Sequence, residues 1–393
     1  MRRKVLVITQ NLGGGGAERV LSYLSLYGQD DAEYVFGILE PIIHYPFRSK
    51  IYLLGDYKQG SVISFLKFLT RFYKLVLHER PDIVMNSATR GRNLVTIIPN
   101  LGFKKVLLFS GYPQFKGNKL ARLQYRFKER FLYRTARKLI CVSEQLARYP
   151  VEECGIPVDR IAVIYNPVDV DRIIEQSEEP IDDALSELFS SPHIIATVGR
   201  LHIVKGQWHL IRVFKLVNEQ FPSSRLVLIG EGPLRRYLEK LVTKLGLDGK
   251  VVFLGWQNNP FKYLARSYLF CLPSLREGFG NVIVEALACS LPVMSTDCLS
   301  GPREILAPGT EYKAERLKEP EYGEYGILMP TFDGRMYGAE DPTWQERTWA
   351  YEIVRVMEDP ELLKRYRSKA LKRARDFEVK KQVKRYAELF LQL

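Results

Sequence analysis

The stretch YLFCLPSLREGFGNVIVEALACSLPVMST, residues 268–296, decides the architecture. Two short apolar runs, YLFCLP and LPVMST, enclose a helix that starts near Asn281 and ends before Pro292. Strands that are apolar along nearly their whole length and are joined through a helix belong to a parallel sheet covered on both faces. The same alternation extends to both ends of the chain. In the first half the strand runs are KVLVIT, YVFGIL, DIVMN, KVLLFS, LICVS and IAVIYN. In the second half they are HIIATVG, RLVLIG, VVFLG, YLFCLP, LPVMST and GILMP. Two such sets predict an α/β chain of two doubly wound, Rossmann-like domains, and 393 residues are too many for one ordinary core. The join lies near NPVDVDRIIEQSEEPIDD, residues 166–183, where prolines and acids replace the periodic pattern. The expected division is 1–175, 176–365, and a C-terminal helix over 366–393 in which both charges are interspersed.

With 46% hydrophobic and 26% charged residues, the composition is that of a soluble globular protein. No run approaches the roughly 20 apolar residues that cross a bilayer. MRRKVLVITQNL reads as a first strand rather than a secretory signal, because its apolar run stops at Thr9. The five cysteines (141, 154, 271, 289 and 298) are widely spaced and form no C-x-x-C pair. That pattern argues against a disulfide framework or zinc site and for a reducing cytosol. The net charge of +13 is one-sided: residues 1–150 hold 25 Lys/Arg against 10 Asp/Glu, and the remainder holds 33 against 35. Between Lys104 and Lys138, eleven basic residues accompany a single acid, Glu129. Such a field calls for a partner, whether nucleic acid, anionic lipid or a phosphorylated substrate.

Ligands of open α/β sheets bind beyond the carboxyl ends of the strands, so the chemistry is sought in the loops there. In SLREGFGNVIVEALACSLPV, residues 274–293, Glu277 precedes Gly278-Phe279-Gly280 and the helix. The glycines allow close backbone approach to a ligand, and the helix start offers free N–H groups to an anion. Glu285 lies about one turn into that helix. Two carboxylates beside an anion site suit hydrogen bonds to sugar hydroxyls; the plain alternative is a tight turn and a solvated helix residue. ATVGRLHIVKGQWHLI places Arg200 and Lys205 just past another strand's end, where two cations would neutralise a departing diphosphate. There is no H-E-x-x-H, and His44, His78, His193, His202 and His209 are scattered. The D-x-D at Asp169-Val170-Asp171 lies at the domain join rather than after a buried strand, so no metal is expected.

GRLHIVKG, LIGEGP, VVFLGW, SLREGFGNVIVEALACSLPV and SGPREI together resemble the retaining glycosyltransferases of family 4, with the GT-B fold. NLGGGGAERV and VIYNPVD fit that family's first domain, so the likeness covers nearly the whole chain. The resemblance implies two domains facing across a cleft, the first binding the acceptor and the second a nucleotide sugar. It also implies a C-terminal helix that packs back on the first domain. By the same resemblance Arg200 and Lys205 hold the nucleotide diphosphate, Glu285 the ribose and Glu277 the donor sugar. The amides of Gly278, Phe279, Gly280, Asn281 and Val282 face the phosphates and sugar, with Gly255 and Trp256 near the base. The donor is a nucleoside-diphosphate sugar, expected to be a UDP-sugar, and neither cofactor nor metal is required. Many relatives place a histidine after the strand equivalent to KVLLFS; here Ser110-Gly111-Tyr112-Pro113 follows it, so no general base is carried over.

KGNKLARLQYRFKERFLYRTARK, residues 116–138, fits a helix with Arg122, Arg126, Arg130, Arg134 and Lys138 on one side. Leu120, Leu123, Phe127 and Phe131 form an apolar stripe on another. Upstream, Lys67, Arg71 and Lys74 stand among aromatic and aliphatic residues. Two basic amphipathic segments suit an anionic membrane surface; the alternative is core stripes with solvated charges. No helix-turn-helix or RNP-like motif supports nucleic acid. The expectation is a peripheral protein on the cytoplasmic face of the membrane, with a lipid-linked saccharide acceptor such as a polyprenyl-diphosphate sugar. DCLSGPREIL resembles the branch that elongates such carriers in surface-glycan assembly, often with N-acetylhexosamines. Sugar-nucleotide epimerases and hydrolases of the same fold remain open. NLGGGGAERV, residues 11–20, imitates the dinucleotide motif, but its third glycine position falls on Glu18 or Arg19. Glu40 does stand where that motif wants its acid. The resemblance assigns Gly15 and Gly16 to the donor instead.

Overall fold

The apolar runs become strands because each is buried along its length; Val5, Leu6, Val7 and Ile8 are all 0% exposed. The computed structural model describes residues 2–13, 15–55, 62–87, 103–109, 119–298, 300–311 and 317–393. Residues 62, 109, 119–125 and 128 are described by their backbone only. The chain forms two units, Met1–Pro167 with Glu378–Leu393, and Val168–Phe377. Residues 168–175 and 366–377 thus belong to the second unit, and 378–393 to the first.

In the first unit, β1 (Arg3–Thr9), β2 (Ala32–Ile38), β3 (Lys50–Leu53), β4 (Ile83–Asn86), β5 (Lys104–Phe109), β6 (Lys138–Cys141) and β7 (Ile161–Val163) make one sheet. Its order is β3-β2-β1-β4-β5-β6-β7, and every pair is parallel. The second unit repeats the plan with β8 (Ile194–Val198), β9 (Arg225–Ile229), β10 (Val251–Gly255), β11 (Leu269–Leu272), β12 (Val293–Thr296), β13 (Glu321–Tyr322) and β14 (Ile327–Met329). The order there is β10-β9-β8-β11-β12-β14-β13, and only β13 runs antiparallel to its neighbour. The order of winding reverses between β1 and β4 in the first sheet and between β8 and β11 in the second, where β14 also inserts between β12 and the edge strand β13. Every strand run read from the sequence is present; β3 and β13 are additional. Both are edge strands with one partner and partly exposed residues, so neither carries the apolar run of a central strand.

Helices cover the sheets through one apolar face each. Phe68, Phe72, Leu75 and Val76 of the helix Val62–Glu79 pack on Leu6, Ile8, Val35 and Val84. The expected single C-terminal helix is instead two, Pro360–Arg375 and Val379–Leu391. The break follows from burial of Phe377 against Phe279 and from the Glu378 side chain, which accepts from the Val379 N–H. The last helix packs on the first unit: Phe390 meets the ring of Tyr34, and Arg385 Nη2 donates to the Val163 carbonyl at 2.9 Å. Asp169 and Asp171, the D-x-D pair, are structural. Asp169 caps the helix Val170–Ser177, accepting from the Arg172 N–H at 3.2 Å, and Asp171 meets Arg375 at 2.6 Å.

One buried polar knot organises the second unit. Glu346 sits at the third position of the helix Trp344–Glu358, in a capping box with Thr343. Its carboxylate accepts from Arg212 Nε at 2.9 Å and Nη2 at 3.1 Å, and its Oε1 lies 2.7 Å from His209 Nδ1. Burial by itself would raise this carboxyl, but the bonds from His209, Arg212 and the Thr343 N–H outweigh it and hold it below the usual range. A carboxyl depressed in the folded state contributes stability that is present above its unfolded-state pKa and lost as pH falls through the folded one. Glu346→Gln should therefore cost about 3–5 kcal/mol at pH 7, the value expected for breaking a buried pair. In urea titrations at a series of pH values, that deficit should shrink as pH falls below the unfolded-state glutamate value of about 4.3 and on through the depressed folded one. A deficit independent of pH would refute the charge argument.

Candidate active site

The winding reversal between β8 and β11 brings their two following loops side by side. Leu275 N–H donates to the Val204 carbonyl at 2.8 Å, tying the loop after β11 to the loop after β8. Gly206 takes φ 63°, and a Cβ there would stand 2.4 Å from the Pro273 carbonyl oxygen, so only glycine lets these backbones touch. The result is one ion pair: Lys205 Nζ lies 2.6 Å from Glu277 Oε1, with the two side chains 21% and 9% exposed. Ser274 Oγ donates to the same carboxylate oxygen at 2.6 Å. Arg200 is exposed at the same edge, and its carbonyl is held by Gln207 Nε2 at 3.0 Å.

Gly280, at φ 96°, precedes the helix Asn281–Ala288, and no side chain caps that helix start. The Ile283 N–H donates to the Gly280 carbonyl at 2.9 Å, and the positive end of the helix dipole lies at this start, where it favours an anion. Glu285 lies within this helix and is 3% exposed, which rules out a solvated helix residue. Phe279 is 2% exposed, its ring 5.2 Å from that of Phe377, and fixes the middle of the loop.

Gly255 and Trp256 reach the same edge through a chain of backbone contacts. The Gly199 N–H donates to the Ile229 carbonyl at 2.9 Å, and the Gly230 N–H donates to the Gly255 carbonyl at 2.7 Å. A Cβ on Gly230 would stand 2.3 Å from the Gly199 carbonyl oxygen. Trp256 is 65% exposed, with an open ring face suited to stacking. Ser274, Ser300, Gly301 and the Gly230–Gly232 turn were given no role from the sequence, although LIGEGP and SGPREI already marked the last three. His202 Nδ1 accepts from the Val204 N–H at 3.3 Å and is a turn residue. All five cysteines are buried and free; burial pushes the Cys141 and Cys289 thiols up to about 12, which leaves no thiolate nucleophile there.

In the first unit, Gly15 precedes the helix Gly16–Tyr27 at the β1–β4 reversal, again with no side-chain cap. Glu40 is explained here. Its Oε1 accepts from Gln10 Nε2 at 2.6 Å and its Oε2 from Asn11 Nδ2 at 2.7 Å, and Asn11 Oδ1 accepts from the Gly13 N–H at 3.1 Å. The acid at the dinucleotide position thus shapes the glycine loop. Ser110, Gly111 and Tyr112 lie outside the described residues.

The basic segments divide. The helix Lys119–Thr135 exposes Phe127, Arg130, Phe131 and Arg134 together, so these two phenylalanines are not core. Arg126 is engaged, its Nη2 2.9 Å from Glu153 Oε2 and its Nε donating to the Glu153 carbonyl. Arg122 lies in the same helix with its backbone alone described. On the helix Val62–Glu79, Ile63, Leu66, Lys67, Thr70, Arg71 and Lys74 line a shallow groove of about 400 Å³. Arg71 also donates to the Leu54 carbonyl at 3.0 Å. Among the described residues no helix is long and apolar enough to cross a membrane.

Comparison with known proteins agrees with this geometry. Residues 14–172 match the model for Glycosyltransferase Family 4, and residues 179–317 match that for Glycosyl transferases group 1. An uncharacterised glycosyltransferase of Methanocaldococcus jannaschii is 32% identical over 361 residues, covering 86% of this chain and 87% of that protein. The N-acetylgalactosamine-N,N'-diacetylbacillosaminyl-diphospho-undecaprenol 4-alpha-N-acetylgalactosaminyltransferase of Campylobacter jejuni is 28% identical over 392 residues, 96% of each chain. Among solved structures, Anabaena HepE in complex with UDP and glucose superposes with a TM-score of 0.78 at 20% identity, covering 100% of both chains. The chain belongs to the group 1 and family 4 glycosyltransferases. Its two parallel-sheet units have the GT-B fold.

The tightest contact at the site is backbone on backbone: a Cβ on Gly301 would lie 1.8 Å from the Phe279 carbonyl oxygen. Gly301→Ala should displace the 277–280 loop and destabilise the protein by about 1–3 kcal/mol, read as a lower urea midpoint. An unchanged midpoint would show that the two strands of backbone part freely.

Proposed function

We propose that this glycosyltransferase is a retaining enzyme that moves a hexose or N-acetylhexosamine from a UDP-sugar to a lipid-linked, polyprenyl-diphosphate saccharide at the inner face of the membrane. The observation that carries the reading is the Lys205–Glu277 pair beside an uncapped helix start, at the winding reversal of the second sheet. Cations and amides at that point suit a diphosphate, and a carboxylate beside them suits the hydroxyls of the attached sugar. The UDP bound to HepE and the undecaprenol-linked substrate of the Campylobacter relative support the donor and acceptor classes.

In this reading Arg200 and Lys205 take the diphosphate, and the Gly278–Val282 amides take the phosphates and sugar. Glu277 orients a sugar hydroxyl, Glu285 meets the ribose, Trp256 and Gly255 lie at the base, and Gly15 and Gly16 serve the sugar in transit. An entering diphosphate takes over the Lys205 cation while a sugar hydroxyl takes over the Glu277 carboxylate. The bond from the anomeric carbon to the phosphate oxygen breaks with its electron pair on UDP. The acceptor hydroxyl attacks the same face, and its proton passes to the departing diphosphate oxygen, so no side-chain base and no metal is invoked. Developing charge on UDP is met by fixed positive groups, which is where such a site gains rate.

Glu277→Ala should lower transfer by about a hundredfold or more while UDP still binds. Arg200→Ala and Lys205→Ala should each weaken UDP binding about tenfold or more, the loss expected for one hydrogen bond to a charged group. Wild-type turnover in Glu277→Ala, or unchanged UDP affinity in both cation variants, would sink the assignment. A thermal-shift panel of UDP-glucose, UDP-galactose, UDP-N-acetylglucosamine and UDP-N-acetylgalactosamine identifies the donor, and product analysis with and without acceptor separates transfer from epimerisation or hydrolysis.

The exposed Phe127, Arg130, Phe131 and Arg134 face and the Ile63, Leu66, Lys67 and Lys74 face support docking on anionic lipid. Co-sedimentation with vesicles containing 30% phosphatidylglycerol, about that share being ample for a basic patch, should fall on charge reversal at Lys67, Arg122 and Arg130. Reversal at Arg126 should do less, because Glu153 already holds it. Binding indifferent to anionic lipid would assign the cations to the acceptor's phosphates alone.

A further inference from the structure

Ser300 combines three properties that a filler residue does not need. It is 0% exposed, its φ is 133°, a region that favours glycine, and its Oγ donates to the Glu277 carbonyl oxygen. A buried non-glycine residue held in such a conformation costs of order 1–3 kcal/mol and persists only where its surroundings over-determine it. Here the surroundings are the site loop itself, since the next residue, Gly301, touches the Phe279 carbonyl.

The consequence follows from peptide geometry. In a trans peptide the C=O and the next N–H point in opposite directions, and no cis peptide occurs among the described residues. Tying the Glu277 carbonyl to Ser300 on the inner side therefore turns the Gly278 N–H to the other side. Among the described residues that N–H has no hydrogen-bond acceptor. The same bond fixes the Glu277 Cα, from which the carboxylate reaches Lys205.

We propose that Ser300 is a positioning residue for the donor: its hydroxyl locks the Glu277–Gly278 peptide plane so that the Gly278 N–H faces the diphosphate. The proposal rests on the donor-site reading above. Strain at Ser300 is the local conformational cost of presenting a hydroxyl where glycine would sit more easily.

The test is UDP binding by titration calorimetry together with thermal denaturation, on the full chain. Ser300→Gly removes the hydroxyl and relaxes the backbone, so it should fold with a midpoint no lower than Ser300→Ala. Its UDP affinity should nevertheless fall about tenfold, with binding still one to one. Ser300→Ala should show the same loss of affinity at a lower midpoint. A purely structural serine gives the opposite pattern, a lowered midpoint with wild-type UDP affinity, and either variant binding UDP as wild type overturns the proposal. Arg200→Ala and Lys205→Ala run alongside. If they lose UDP and Ser300→Gly does not, this proposal alone fails; if neither they nor the wild type show a UDP site here, the donor-site reading fails and the proposal with it.

Discussion

The parallel pairing of β8 with β11 is the constraint from which the site follows. Leu269 pairs with Ile195 and Phe270 with Ala196, so both strands end at one edge with nothing between them. Chain winding leaves this point in opposite directions, and the crossover helices cannot fill the gap. The two loops must therefore meet, and they do so through the Leu275–Val204 hydrogen bond and the close approach of Gly206 to Pro273. Lys205 and Glu277, separated by 71 intervening positions in the sequence, become an ion pair for that reason alone.

The site is built on tightly packed backbone. Glycines at 206, 230, 232 and 301 bring main chain against main chain, and serines at 274 and 300 hold what the glycines admit. Such construction fixes peptide planes without bulky supports and leaves the outer side of the edge open. The ion pair at the centre is partly accessible, and solvent screening weakens it. The Glu346 knot behind it has the contrary character. It is sealed, multiply hydrogen-bonded and far more costly to break.

Much of this was legible in the residues. The strand runs were found because central parallel strands are apolar throughout, and the two loops that meet at the edge of the second sheet were marked by Gly-Arg…Lys-Gly and Glu-Gly-Phe-Gly, which permit close backbone approach. What escaped has a common cause. β3 and β13 are edge strands without a run, the break at Phe377 depends on a ring contact with Phe279, and the dual bond of Glu40 to Gln10 and Asn11 depends on β2 lying beside β1. For Phe127 and Phe131 the charge excess of the first half favoured a membrane face over a core stripe, and only the fold shows that both are exposed.

Local patterning and the charge distribution by themselves determined two wound α/β units, a basic first half and a family likeness carried by several glycine-rich loops. These follow from period, composition and backbone permissiveness, which are properties of neighbouring residues. The tertiary structure alone decided which loops share an edge, which carboxylate meets which cation, that Glu285 is buried, and that Ser300 turns a peptide plane. Those depend on strand order and on contacts between residues far apart in the chain, and no local pattern encodes a distance across a sheet.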